Sequence, residues 1–241
     1  LVYLDSANTS QKPNAVINAM TTFMQHAYGP TNRSAYKLAS DATDAFEGAR
    51  AKVAAFINAP AVHEVVFTKN ATESLNLIVR TWGTQNLNKG DVVVLTHMEH
   101  HANIVPWQML AAEKGFTIRW VPLTQDGLLD LSDLDTLLAG AKAFSFTAMS
   151  NVLGTINPVK ELCARAHKHG AIAIVDGCQS VPHMPIDVKK LNVDFLAFSG
   201  HKALGPTGVG VLWSSVFEEL PPYLFGGSMI ETVTMTSATW A

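Results

Sequence analysis

The chain has 241 residues, 48% hydrophobic and 15% charged, with a formal net charge of -3; this excludes a disordered polypeptide and suits one large α/β domain or two small ones with ample core. The slight negative charge, with no block of basic residues, gives no general attraction for nucleic acid or anionic membrane, so neither is expected as a partner. Two cysteines make no disulfide framework, no basic segment leads a long apolar one at the start, and no apolar run is long enough to cross a bilayer, so a cytoplasmic protein is expected.

Asp5-Ser6-Ala7-Asn8-Thr9-Ser10 reads as a polar turn, after which Pro13 opens a helix with Val16, Ile17, Met20, Phe23 and Met24 on one face. A loop over 28–36 precedes a long structural helix over about 41–57, on which Ala45, Ala49, Val53 and Phe56 repeat at helical spacing. A strand over 64–68 is followed by Asn70 and Glu73, spaced as at a helix start, and then by Leu75, Leu77, Ile78 and Val79 on the helix. The unpaired N–H groups of a helix start suit a phosphate, although an ordinary capped helix would use the same residues.

Residues 91–96 form the next strand, leading into His97-Met98-Glu99-His100-His101. Three histidines and a glutamate in five residues invite a metal site, with zinc on His97, His100 and His101. Their place in a loop, with no complementary second cluster, argues against it. A helix over 104–114, a strand over 116–121 and a short helix over 132–138 carry no evident chemistry. The strand over 143–149 delivers Ser150-Asn151 at its end, and a helix over 158–169 closes on a basic turn that complements its dipole.

The apolar run over 171–175 ends on Asp176-Gly177-Cys178-Gln179, placing a carboxylate at the C-terminal end of a buried strand. Such an acid needs a cationic partner; a cap or turn role is the plainer alternative. Strands over 193–198 and 209–213 flank a Gly/Pro-rich turn that holds Lys202 at a strand end, where ligand sites gather. A lysine in apolar surroundings loses some preference for its charge, and the neutral amine forms a Schiff base with an aldehyde, whereas most loop lysines are merely solvated. A pyridoxal phosphate (PLP) site requires such a lysine together with an acid that keeps the pyridine nitrogen protonated, and Lys202 and Asp176 supply that pair. Strands alternating with helices, with functional residues just past strand ends, predict an α/β fold with a mainly parallel (mixed) sheet flanked by helices, without internal repeat or linker.

Glu99-His100-His101-Ala102-Asn103-Ile104-Val105-Pro106-Trp107, Ser150-Asn151-Val152-Leu153-Gly154-Thr155, Val175-Asp176-Gly177-Cys178-Gln179 and Ser199-Gly200-His201-Lys202 with Gly205-Pro206-Thr207-Gly208-Val209-Gly210 occur in this order. Together they closely resemble the cysteine desulfurases of the sulfur-mobilisation (SufS/CsdA-like) group, in the class V aminotransferase family of PLP fold type I. The likeness runs from Tyr3-Leu4-Asp5-Ser6-Ala7 to Gly226-Gly227-Ser228-Met229-Ile230.

The resemblance implies a large PLP-binding domain over 21–241 and a segment over 1–20 that lines the way into the active site. The small C-terminal domain, with its nucleophilic Cys and carboxylate-binding Arg, is expected to be absent from this sequence, and a short N-terminal segment to precede it in relatives. Lys202 would hold PLP and move the substrate proton, Asp176 would pair with the pyridine nitrogen, and Gln179 would bond the phenolic oxygen. Ala71, Thr72, Ser199 and His201 would bind phosphate, His100 would cover the ring and shuttle protons, and Asn151 would lie beside it. No metal is expected.

The implied reaction takes sulfur from L-cysteine, leaves L-alanine and carries the sulfur as an enzyme persulfide for iron–sulfur cluster assembly. A homodimer and a sulfur-acceptor or scaffold protein are the implied partners, and this stretch alone is not expected to turn over cysteine. Cys163, among Leu162, Ala164 and Ala166, reads as a packed thiol, and Cys178 is not given a catalytic part. Where relatives carry His-Arg and a further His three residues on, this chain has Asn32, Arg33 and Tyr36, which bears on substrate choice. Alternatives are another class V PLP enzyme (a selenocysteine lyase, epimerase or aminotransferase) and a non-catalytic sulfur-transfer scaffold, against which the retention of Lys202 and Asp176 speaks.

Overall fold

A computed structural model describes residues 2–31, 35–227 and 230–240. Asn32 and Arg33 of the divergent loop, and Ser228 and Met229 at the end of the resemblance, lie outside the described residues.

Helices α1 (Asn14–His26) and α2 (Lys37–Phe56) lead into β1 (Val65–Thr68) and α3 (Ala71–Ile78), which continues through a π-helical turn at 79–83 into α4 (Thr84–Asn86). Then follow β2 (Val92–Thr96), α5 (Val105–Lys114), β3 (Thr117–Val121), α6 (Leu134–Leu138), β4 (Ala141–Thr147), α7 (Val159–Lys168), β5 (Ile172–Asp176), α8 (Val188–Leu191), β6 (Phe195–Ser199) and β7 (Gly210–Ser214). A separate hairpin joins β8 (Ile230–Val233) to β9 (Ala238–Trp240).

The main sheet has seven strands in the order β1-β7-β6-β5-β4-β2-β3. The β2–β3, β2–β4, β4–β5 and β5–β6 pairs are parallel, and β7 runs antiparallel to both its neighbours, so the sheet is mixed and mainly parallel as expected. Every residue of β2, β6 and β7 is buried. Continuous apolar runs of this kind mark strands covered on both faces.

Alternation along the strands divides the core in two. Val92, Val94, Phe144, Phe146, Ala173, Val175, Leu196 and Phe198 pack with Leu134 and Leu138 of α6 and with Leu162, Cys163 and Ala166 of α7. Val93, Leu95, Ala143, Ile174, Phe195 and Ala197 face the other way, against Leu75 and Ile78 of α3 and Trp107 and Leu110 of α5. Cys163 is fully buried, the packed thiol that its neighbours in sequence suggested.

Two helices form as predicted but bury different faces. α2 begins at Lys37, earlier than the apolar spacing suggested, and buries Ala39, Ala42 and Ala54, while Ala45 and Ala49 are exposed and Phe56 is 59% exposed. The reason lies in Arg50, whose guanidinium sits 5.1 Å from the Phe46 ring and 5.3 Å from the Phe67 ring and donates to the Val65 carbonyl. These contacts turn the Phe46–Arg50 side of α2 toward β1. α1 has no buried residue; Ile17, Met20 and Met24 of its apolar face are exposed.

The parallel strands bring their C-terminal ends to one edge, where Thr147 of β4 pairs with Asp176 of β5, and Asp176 with Ala197 of β6. The antiparallel β7 starts at that edge, with Gly210 opposite both Thr68 of β1 and Ser199 of β6. A Cβ on Gly210 would stand 2.5 Å from the backbone of Asn70, so glycine is what lets the start of α3 close onto the sheet. Gly210→Ala is expected to lower the unfolding free energy by roughly 1–3 kcal/mol through this overpacking. A urea titration checks it, and an unchanged midpoint contradicts it.

Candidate active site at the strand ends

Ala71, Thr72, His100, Asn151, Asp176, Gln179, Ser199, His201 and Lys202, the nine residues singled out in the sequence, line one cleft of about 230 Å³ at this edge. They come from segments spread over more than half of the chain, gathered because β2, β4, β5 and β6 end side by side.

Asp176 closes β5 and is 3% exposed. One of its oxygens accepts the Cys178 N–H at 2.9 Å, and no ion pair among the described residues includes it. Gln179 is buried beside it and donates its amide to the Ala7 carbonyl at 2.7 Å. Lys202 is half-buried, in a 3₁₀ turn (Gly200–Lys202) directly after β6. Gly200 N–H donates to the Val209 carbonyl and Gly205 N–H to the Gly200 carbonyl, which closes the loop on itself.

The start of α3 forms one wall. Asn70 accepts the Glu73 N–H on its side chain at 2.9 Å, the cap that the Asn70/Glu73 spacing suggested. Ser199 Oγ, from the end of β6, accepts the Ala71 N–H at 2.9 Å. The Thr72 N–H between these two has no acceptor among the described residues, so Thr72, which lines the cleft, carries an unpaired helix-start donor.

His100 is half-buried, and its Nδ1 accepts the Ala102 N–H at 3.1 Å. Burial, then the neighbouring His101, hold its imidazole below the ordinary histidine value. The neutral ring therefore carries its proton on Nε2. His97 is exposed and packs on the Trp120 ring at 5.6 Å, and no group of three His, Cys, Asp or Glu among the described residues is arranged to hold a metal ion. His201 is likewise held below its ordinary value, chiefly by burial and then by Lys202 and Lys12. Both thiols are pushed up by burial, Cys163 to about 12 and Cys178, lining the cleft next to Asp176, well above its usual value.

Several participants escaped the sequence. The His201 carbonyl, one residue before Lys202, accepts the Ser10 N–H at 3.0 Å, the Ser10 hydroxyl at 2.9 Å and the Lys12 ammonium at 2.7 Å. Ser10 Oγ also accepts the Leu204 N–H at 3.0 Å, and Thr9 Oγ1 meets the His201 ring at 3.0 Å. Nothing in the string Thr9-Ser10-Gln11-Lys12 signals a partner 190 residues away. Asn8 and Thr147 also line the cleft.

The family described as aminotransferase class-V matches residues 2–241. The chain belongs to the class-V aminotransferase family. Members of this class V family depend on PLP. Among curated class V relatives, a probable cysteine desulfurase of Streptomyces coelicolor is 50% identical over all of this chain and 59% of its own length. A cysteine desulfurase of Enterobacter is 49% identical over 99% of this chain and 60% of its own length. Among solved structures, the apo cysteine desulfurase of Thermococcus onnurineus superposes with a TM-score of 0.96 at 40% identity, over all of this chain and 60% of that one. A cysteine desulfurase of Escherichia coli gives 0.91 at 38% identity, over 99% of this chain and 61% of that one. The chain thus spans about three fifths of the length of these relatives.

Ser10→Ala removes a donor to the His201 carbonyl and the acceptor of the Leu204 N–H, and is expected to cost about 1–3 kcal/mol with the largest rise in amide exchange in the 200–209 loop. Hydrogen exchange measured by mass spectrometry checks this; unchanged exchange in that loop would show that the clamp holds nothing.

Proposed function

We propose that this chain is the cofactor-binding part of a PLP-dependent cysteine desulfurase. The enzyme takes sulfur from L-cysteine, leaves L-alanine and passes the sulfur as a persulfide toward iron–sulfur clusters. It works in the cytoplasm as a homodimer with a sulfur-acceptor protein. No described helix is long and apolar enough to cross a membrane. Residues 21–241 form the PLP-binding unit, and residues 1–20 edge the approach to it.

The observation that carries this reading is the pairing, within one small cleft, of the Lys202 amine with a buried carboxylate that has no cation of its own. A buried acid without a counter-charge is costly unless a cationic group meets it, and a protonated pyridine nitrogen is such a group. The open donor at Thr72, beside Ser199 and His201, suits the phosphate at the other end. The residues present therefore fit PLP.

When bound, PLP supplies an electron sink that makes the substrate Cα–H acidic. Lys202 would hold the cofactor and carry that proton. Asp176 would keep the ring nitrogen protonated, fixed in place by the Cys178 N–H. Gln179, anchored on the Ala7 carbonyl, would bond the phenolic oxygen, and Ala71, Thr72, Ser199 and His201 would form the phosphate cradle, the Ala71 N–H holding Ser199 Oγ so that its hydroxyl hydrogen is left to donate. His100 would cover the ring with its Nε2–H toward the cleft, able to protonate a departing group, and Asn151 would sit beside it. Neither thiol of this chain is poised to take the sulfur, since burial keeps both protonated at neutral pH and only a thiolate attacks. The accepting thiolate comes from elsewhere in the enzyme.

The test is reduction of the chain with borohydride after incubation with PLP, followed by peptide mapping. A phosphopyridoxyl group is expected on Lys202, and none after Lys202→Ala. In the enzyme that carries this chain, Lys202→Ala is expected to abolish alanine formation from L-cysteine. Label scattered over surface lysines, or alanine formation that survives the substitution, would overturn the reading.

A further inference from the structure

Glu99 lies beneath the cleft rather than in it. It is 9% exposed, and its carboxyl is held by neutral donors alone: the Thr96 hydroxyl at 2.6 Å and the Thr147 N–H at 2.9 Å on Oε1, and the Asn103 amide at 2.7 Å on Oε2. Behind Asn103, which is fully buried, its carbonyl accepts the hydroxyl of fully buried Ser145 at 2.6 Å. The carboxyl thus joins three elements: the end of β2, the turn that carries His100, and the end of β4. Thr147, which it holds, is the register partner of Asp176.

We propose that Glu99 is a positioning residue that acts as a neutral carboxyl, tying the His100 turn to the β4 end beside Asp176 and leaving Asp176 to carry the negative charge of the cleft floor.

The ionisable groups on the elements packed around it are His97, His100 and His101 on its own loop, Asp176 at the end of β5, Cys178 beyond it, and Lys202 across the cleft. Of these, Asp176 is the one whose charge acts on the Glu99 carboxyl, and it opposes a second negative charge. The three hydrogen bonds favour the ionised form, but burial outweighs them and pushes the group up to about 8. The network accommodates the proton. With the Asn103 amide turned, its oxygen accepts the acid proton from Oε2 across the 2.7 Å contact and its NH₂ donates to the Ser145 hydroxyl across the 2.6 Å one, while Thr96 and Thr147 go on donating to Oε1. Ionisation would add a second negative charge that acts on Asp176 from behind Thr147 and weaken the claim of Asp176 on a cationic ligand.

The proposal leans on the PLP reading only for its consequence at Lys202, so two readouts separate them. The first needs no cofactor. An acid whose folded value lies above its unfolded value makes the folded chain bind more protons, so stability falls as pH rises from about 4.5 to about 8. Glu99→Gln copies the neutral acid, with the Asn103 amide turned to accept from it. It is expected to fold at pH 6 and to lose about one proton's worth of that slope. The second readout is borohydride trapping of PLP on Lys202 at pH 7. Glu99→Gln is expected to trap within about two-fold of the unsubstituted chain, and Glu99→Ala, which strands three buried donors, roughly ten-fold less.

An identical pH slope in the Gln variant, a Gln variant unfolded at pH 6, or full trapping by the Ala variant would each overturn the proposal. Absence of trapping in the unsubstituted chain would defeat the PLP reading instead, and the pH slope would still decide the state of Glu99.

Discussion

Asp176 stands at the end of β5 with its backbone locked between β4 and β6, 3% exposed and bonded through one oxygen to the Cys178 N–H. Taking a carboxylate out of water costs several kcal/mol unless a positive group meets it, and no ion pair among the described residues does so. Much of the surrounding architecture serves to hold this acid and the Lys202 amine in one cleft. The parallel strands set the register, the 200–209 loop closes on itself after β6, and Gly210 lets the α3 start close onto the sheet. In the class V reading, the cofactor is the missing counter-charge.

Electrostatics around that acid are consistent in direction. His100 and His201 are held below their ordinary values, so near pH 7 both rings are mainly neutral, His100 with its Nδ1 occupied by the Ala102 N–H. Cys178 stays a thiol beside the carboxylate. With Glu99 protonated, the charge that remains at the floor of the cleft belongs to Asp176. Such a site favours a cationic ring and presents neutral groups to it elsewhere, the condition under which a proton on the ring nitrogen is most secure.

How much of this was legible in the sequence depended on the range of each contact. Asp176, Lys202 and Asn151 could be read because a polar residue at the end of a continuous apolar run is a local pattern. Asn70 with Glu73 announced its helix start in the same way. Ser10 and Lys12 could not be read, because their meaning rests on the His201 carbonyl, brought near only by the completed sheet. Glu99 was visible only as part of a histidine-rich string, and its role appears once Thr147 and Asn103 close around it. The face of α2 misled for another reason: alanine recurs all round that helix, so spacing alone could not say which side meets β1, and the Arg50 contacts with Phe46 and Phe67 decided it.

The claim on which the rest stands is that Asp176 holds a proton on a pyridine nitrogen. The nitrogen chemical shift of ¹⁵N-labelled PLP bound to the chain reports that proton directly, and Asp176→Asn removes the charge without changing the shape. The account predicts a protonated ring nitrogen in the unsubstituted chain at neutral pH and loss of that proton in the Asn variant. An unprotonated nitrogen in the unsubstituted chain, or an equally protonated one in both, would contradict it.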